Sequence, residues 1–205
     1  MHYCYHLYQS QCWFRNTYLT NQSHEVRNDN SIYESGCHFT CISMMLNTNA
    51  AFLASELSKQ GYFDRDDQGM VWDQNKPFLV GDSINIPFII SHSKIVNNIK
   101  IQLFKKEIIK NPIEAEKEIH TAHRKGYHII CGNSFHSLLT AGHKDKSYFF
   151  WDPDTSNHES ETEAIRKNLN GEYNTFWLFD NYDEGKGLDF WTYRIKAHNE
   201  VIQPG

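Results

Sequence analysis

The chain has 205 residues, 40% of them hydrophobic and 14% aromatic, which is enough to bury a real core and excludes a short disordered adaptor. Its net charge of −5 (20 Lys and Arg against 25 Asp and Glu) is scattered along the chain, which excludes the basic footprint of a nucleic-acid or anionic-membrane binder. With a mean hydropathy of −0.64 and no apolar run longer than five residues, it holds no stretch approaching the roughly 20 apolar residues of a membrane-spanning helix, so a soluble protein is expected.

Met1 to His6 has neither the basic nor the apolar part of a Sec leader, so the expectation is residence in the cytoplasm or export by a non-Sec system. No repeat or Pro/Gly-rich linker interrupts the sequence, and residues 1–205 read as a single domain. Residues 1–36, rich in Asn, Ser and aromatics, read as extended or looped. From His38 to Asn47, Phe39, Ile42, Met45 and Leu46 recur at helical spacing, and Asn47-Thr48-Asn49 is a stop. A second helix is expected over Ala51 to Gln60, ended by Gly61. Residues 61–98 carry turns and extended pieces, among them Met70 to Trp72 and Ile84 to Ile90.

A third helix is expected from Pro112 or Ile113 to Lys125, because acids gather at its start and Arg124-Lys125 close it before Gly126. Strands follow at Tyr127 to Cys131, Phe135 to Ala141, Ser147 to Trp151, Thr175 to Phe179 and Leu188 to Ile195. Helices first and antiparallel strands afterwards make an α+β protein.

The five cysteines (Cys4, Cys12, Cys37, Cys41, Cys131) are an odd number without a CxxC pair, so at least one thiol stays outside any internal disulfide. Cys37 stands where a Gly-containing turn enters the first long helix, and there unpaired N–H groups and the helix dipole favour a thiolate. The same N–H groups can receive the oxyanion formed when sulfur attacks a carbonyl. Such chemistry needs an imidazole held by a third polar group. His136 shares one face of its expected strand with Leu138 and Thr140, and the following hairpin brings Asp152 back beside it. His128 and His143 are its rivals in that region. His128 reads as facing a neighbouring layer and His143 as part of a turn.

At these residues the chain resembles the papain-like cysteine peptidases, in particular the bacteriocin-processing branch and its bacterial relatives. Gly36-Cys37, Thr40, Met44 and Leu46 are similar to that branch's nucleophile helix. His136, Leu139-Thr140-Ala141-Gly142 and Trp151-Asp152-Pro153 are similar to its "HxVxxTG…DP" pattern. Gly61-Tyr62-Phe63 and Met70-Val71-Trp72 resemble the relatives that act on cell walls. The resemblance covers roughly residues 30–155. It implies a papain-like fold, with the nucleophile helix of an N-terminal helical part packed on a C-terminal antiparallel sheet. It further implies Cys37 as nucleophile, His136 as general base and acid, and Asp152 as the orienting residue.

Six residues before Cys37, where papain-like enzymes often place an oxyanion-hole Gln, this chain has Ser31, and Asn30 is the nearest amide. A small residue often stands in the family where this chain has Cys41, whose spacing with Phe39, Ile42 and Met45 reads as core packing; a redox or resolving thiol is the other reading. The expected activity is cleavage of an amide bond by a cysteine protease, a peptidoglycan amidase or endopeptidase or a glutamine deamidase, or acyl transfer as in a transglutaminase. The substrate is then a peptide, a protein or peptidoglycan. A lone catalytic domain suits a secreted effector or toxin, which would pair with a cognate immunity or inhibitor protein. The reading of another class is a non-catalytic binding module on the same scaffold, in which the three residues need not meet. No cofactor is called for, and His2, Cys4, His6 and Cys12 match no zinc spacing.

Overall fold

The computed structural model describes residues 8–15, 17, 31–59, 64–66, 69–71, 83–89, 95–156 and 160–201. A 3-10 turn at Gln11–Phe14 is capped by Ser10, whose hydroxyl accepts the Cys12 N–H at 3.1 Å. Then come the one-turn helix α1 (Ile32–Ser35), α2 (Cys37–Met45) and α3 (Ala50–Lys59). A small ribbon, β1 (Asp64–Asp66) and β2 (Gly69–Val71), precedes β3 (Ser83–Ile89) and β4 (Ile95–Ile109). The second half of the chain runs α4 (Pro112–Arg124), β5 (His128–Gly132), β6 (Ser137–Lys144), β7 (Ser147–Trp151), α5 (Glu161–Asn170), α6 (Thr175–Tyr182) and β8 (Leu188–Val201).

Six strands form one antiparallel sheet in the order β3-β4-β8-β5-β6-β7, so the last strand lies inside the sheet, between β4 and β5. The period-2 alternation of the strands sends successive side chains to opposite faces. Ile130, Leu139, Phe149, Trp151, Trp191 and Tyr193 join one core with α2 and α3. Ile129, Cys131, Leu138, Phe150 and Phe190 join the other, with α4 and α6. Helices therefore cover both faces of the sheet, and the fold class is α+β. Every residue of α2 is buried, because the helix is wedged between β6 and the neighbouring helices. Full burial of a side chain such as Phe39 stabilises by about 2–3 kcal/mol, and this burial fixes α2 against the sheet.

α4 starts and stops where its signals predict: Asn111 accepts the Glu114 N–H at 2.9 Å, Pro112 occupies the first turn, and basic side chains close the helix. Four expectations are corrected. Residues 32–35, within the stretch expected to be extended or looped, form α1. His143, expected in a turn, stands in β6 opposite Tyr148. Thr175 to Phe179 is the start of α6 and not a strand. The run Thr-Phe-Trp-Leu-Phe fits either a buried strand or a buried helix, and the Asn174 side chain decides by capping the Trp177 N–H at 3.0 Å. Phe135 and His136 precede β6 instead of opening it. The Asn133 carboxamide accepts both their N–H groups at 2.9 Å, which holds them in a turn and out of a ladder. β4, with its 15 residues, and α5, whose Ser160 cap receives the Glu163 N–H at 3.2 Å, had no counterpart among the expected elements.

No helix among the described residues is long and apolar enough to cross a membrane.

Candidate active site

Cys37 is the first residue of α2, directly after its N-cap Gly36, and is 3% exposed. The start of β6 is docked onto the next turn of the same helix through Ser137. The Ser137 hydroxyl is hydrogen-bonded to His38 Nδ1 at 3.2 Å, and its carbonyl accepts the Cys41 thiol at 3.5 Å. Those two contacts set the residue before Ser137, His136, beside Cys37. The neighbouring strand permits this approach because position 132 is glycine. A Cβ on Gly132 would collide with the His136 carbonyl.

His136 Nε2 donates to Asp152 Oδ1 at 2.7 Å, and its side chain also hydrogen-bonds Cys37. With Nε2 taken by the carboxylate, Nδ1 is the ring nitrogen that serves the thiol. Asp152 follows β7 directly, and pairing of Trp151 with Leu139 returns it to the start of β6, close to His136. The histidine and aspartate side chains are only 13% and 6% exposed. Burial opposes a charged imidazole, but the Asp152 charge, its hydrogen bond and Cys37 outweigh it and hold His136 well above the ordinary histidine range. The ring is therefore poised as an imidazolium facing sulfur.

Asp152 is clamped at its backbone as well as at its side chain. Its N–H donates to Asn168 Oδ1 at 2.6 Å, and its carbonyl accepts the Tyr8 hydroxyl at 2.9 Å. Asn168, fully buried in α5, also donates to Ala164 O at 2.9 Å and to the Tyr8 hydroxyl at 3.3 Å. Asp152 Oδ1 accepts the Asp154 N–H at 2.8 Å, a further charge-assisted bond that fixes the carboxylate. Tyr182, at the end of α6, stacks on the His136 ring with centroids 5.5 Å apart and planes 28° apart. Burial and the Asp152 charge push its phenol up, so it stays neutral. Nothing local in the sequence marks Tyr8, Asn168 or Tyr182, because each reaches the site through tertiary packing alone.

The rival residues lie elsewhere or are inert. Burial pushes the Cys41 and Cys131 thiols well up. His38, beside Cys37 in sequence, points into the core, where its Nε2 meets the Tyr193 hydroxyl at 2.8 Å and burial pushes it down to about 3. His143 sits on the α4 side of the sheet with His120 and His123, around Tyr148, and His128 pairs with Tyr193 at the start of β5; burial pushes His123 and His128 down to about 4. Cys12 is half-buried with its thiol 3.7 Å from Asp154 Oδ1. Asn30, the residues His2, Cys4 and His6, and the stretches Gly61 to Phe63 and Trp72 lie outside the described residues. Among the described residues no group of three or more His, Cys, Asp or Glu could hold a metal ion.

Chemically, the arrangement offers a sulfur nucleophile at a helix start, a proton carrier against it, and a buried carboxylate that orients and charges the carrier. The partial positive charge at the N-terminus of α2 lies where an oxyanion would form. No protein-family model, no curated protein and no solved structure matches this chain, so the site is read from its own geometry.

Proposed function

We propose that the protein is a papain-like cysteine hydrolase that cleaves an amide bond through an acyl-thioester. The observation that carries this reading is the continuous hydrogen-bonded line from Cys37 through His136 to Asp152. A nucleophile helix packed against an antiparallel sheet whose adjacent elements present the base and the carboxylate is the arrangement expected of that fold. A non-catalytic binding module would have no need to line up these three side chains.

The steps follow from the charges. The Cys37 thiolate attacks the substrate carbonyl, and the N–H groups at the start of α2 stabilise the oxyanion. The His136 imidazolium gives its proton to the leaving amine, and the C–N bond breaks. Neutral His136 then takes a proton from water as it attacks the thioester, which releases the acid and restores the ion pair. Asp152 holds the ring in place and favours its charged form throughout. Substrates of this class are peptides, proteins or peptidoglycan.

Iodoacetamide near neutral pH tests the nucleophile: it should alkylate Cys37 rapidly, and Cys37→Ala should abolish that labelling. Fast labelling that survives in Cys37→Ala and vanishes in Cys41→Ala would transfer the role to Cys41 and end the proposed triad. Purified peptidoglycan and a denatured protein mixture, each incubated with enzyme and Cys37→Ala and read by mass spectrometry, separate cell-wall cleavage from proteolysis and deamidation.

A further inference from the structure

Away from the triad, the second half of α4 meets the β6–β7 hairpin through histidines. Tyr148, near the start of β7 and only 6% exposed, is the centre of the contact. Its hydroxyl is hydrogen-bonded to His120 Nδ1 at 3.1 Å. His123 stands edge-on to its ring with centroids 5.1 Å apart, and His143, its cross-strand partner in β6, does the same at 4.8 Å. Two of these imidazoles come from α4 and one from β6, so together they bridge helix and sheet.

Apolar burial alone holds this helix lightly. Its buried side chains are Ala115, Ile119 and Ala122, while Ile113 is left exposed. Two alanines and one isoleucine remove little apolar surface from water, so the contacts around Tyr148 are a large share of what seats the second half. The first half has an anchor of its own. Glu116 accepts the Ser147 hydroxyl at 2.6 Å and the Tyr148 N–H at 3.0 Å.

The surroundings favour neutral rings. Burial pushes His123 from 6.5 down to about 4, and the neighbouring His128, His120 and His143 push the same way. The carboxylates of α4 nearest in sequence are already engaged, Glu116 as above and Glu118 with Lys105 of β4 at 3.2 Å. The hairpin turn carries Lys144, Asp145 and Lys146, the end of the helix Arg124 and Lys125, and α6 carries Asp180, so cations prevail on the elements around the cluster.

We propose that the stretch of α4 from His120 to Arg124 is an acid-released latch: with neutral imidazoles it is pinned to Tyr148, and with charged ones it lifts from the hairpin, hinged at the Glu116 anchor. This device does not depend on the cysteine-hydrolase reading. Once released, His123 meets water and takes its proton near the ordinary 6.5, whereas the latched ring resists until about 4. The released state therefore binds more protons between these values, and falling pH favours it. From His123 alone, release gains about 30-fold between pH 7.5 and pH 5. α4 also packs on β5, whose Gly132 makes room for His136, so the latch covers the strand behind that histidine.

Hydrogen exchange of the whole chain, read by mass spectrometry and corrected for the intrinsic rate at each pH, tests the latch. Peptides spanning His120 to Lys125 should exchange ahead of α2 at both ends of the range, and should lose about 30-fold in protection between pH 7.5 and pH 5. His123→Gln cannot take up the proton and should abolish most of that loss, while α2 keeps its own pH dependence. Exchange of the α4 end in step with α2 throughout, or a loss of protection undiminished in His123→Gln, overturns the latch. Nitrogen-15 NMR of the histidine rings in the wild-type protein gives a second readout that needs no variant. His123 should still be neutral near pH 5, and a His123 that takes its proton near 6.5 in the folded protein overturns the proposal as well.

Discussion

Acidification should loosen the nucleophile helix through His38. This ring is fully buried one residue after Cys37, and both its nitrogens are hydrogen-bonded, to Ser137 and Tyr193. Burial, helped by the Lys106 charge, pushes it from an ordinary 6.5 down to about 3. An unfolded chain takes up the proton near 6.5, whereas the folded one resists until about 3, so the unfolded state binds more protons between these values. The contribution of neutral His38 is therefore complete above about pH 6.5 and is lost as pH falls. The loss is about 3 kcal/mol near pH 4.5 and about 5 kcal/mol in the acid limit. Against a domain stability of ~5–15 kcal/mol this is a large share. His123 and His128, pushed down to about 4 by burial, act with the same sign.

The assay is urea unfolding followed by tryptophan fluorescence across this pH range, with His38→Gln for comparison. Gln keeps a donor and an acceptor but never titrates. The variant should be less stable than wild type near neutral pH by ~1–3 kcal/mol for its imperfect hydrogen bonds. Its disadvantage should shrink by about 3 kcal/mol near pH 4.5. A gap between the two proteins that stays constant with pH would refute the reasoning, since it would mean that His38 does not resist protonation in the fold.

Three further outcomes are expected at the site. Asp152→Asn removes the charge that most raises His136, so the ring loses its proton at lower pH; the alkaline limb of amide cleavage, for which His136 must still carry the proton it gives to the leaving amine, should move down, and an unchanged pH profile would contradict the imidazolium. At neutral pH the same variant should alkylate ~10- to 150-fold more slowly, as expected for loss of a charge-assisted hydrogen bond of ~1.5–3 kcal/mol. Asn168→Ala leaves the Asp152 N–H buried without its acceptor and should cost about 1–3 kcal/mol in thermal unfolding together with slower alkylation; normal alkylation in a folded variant would show that the clamp does not position the carboxylate. Gly132→Ala drives a methyl group into the His136 carbonyl and should cost about 1–3 kcal/mol by overpacking, with loss of Cys37 reactivity read by mass spectrometry.

What could be read from the sequence was whatever is encoded locally. α4 was legible to within a residue because its cap, its proline and its charge gradient all lie inside one short window. The nearness of His136 and Asp152 was legible too, since β6 and β7 are joined by a tight hairpin, although a bulge at Ala141 shifts its register. The place of His136 itself is not legible in the sequence. Alternation continues smoothly through Phe135, and nothing in that pattern reveals that the Asn133 side chain diverts the backbone. α6 was missed because bulky apolar runs lack a period, although its Asn174 cap was present in the sequence. α5 also carries its signals in the sequence, Ser160 at the cap and Gly171, which takes the left-handed conformation after the last turn. Tyr8 and Asn168 are different in kind. They meet at Asp152 across separations of 144 and 16 residues, and no local pattern encodes such a meeting.

The sheet order bears on when the protein can become reactive. β8 comes last in sequence among the described strands, yet it lies inside the sheet, joining β4 to β5. During synthesis the nucleophile helix emerges early, but the strand that unites the two parts of the sheet emerges last. A contact of such long sequence separation forms late and slowly. His38, which seats the nucleophile helix, also waits for Tyr193 of that strand. A nascent chain thus carries Cys37 before the sheet that seats its helix is joined, and its reactivity should rise when β8 takes its place. Under the proposed amide-bond cleavage, this order of assembly would delay that activity until β8 is in place.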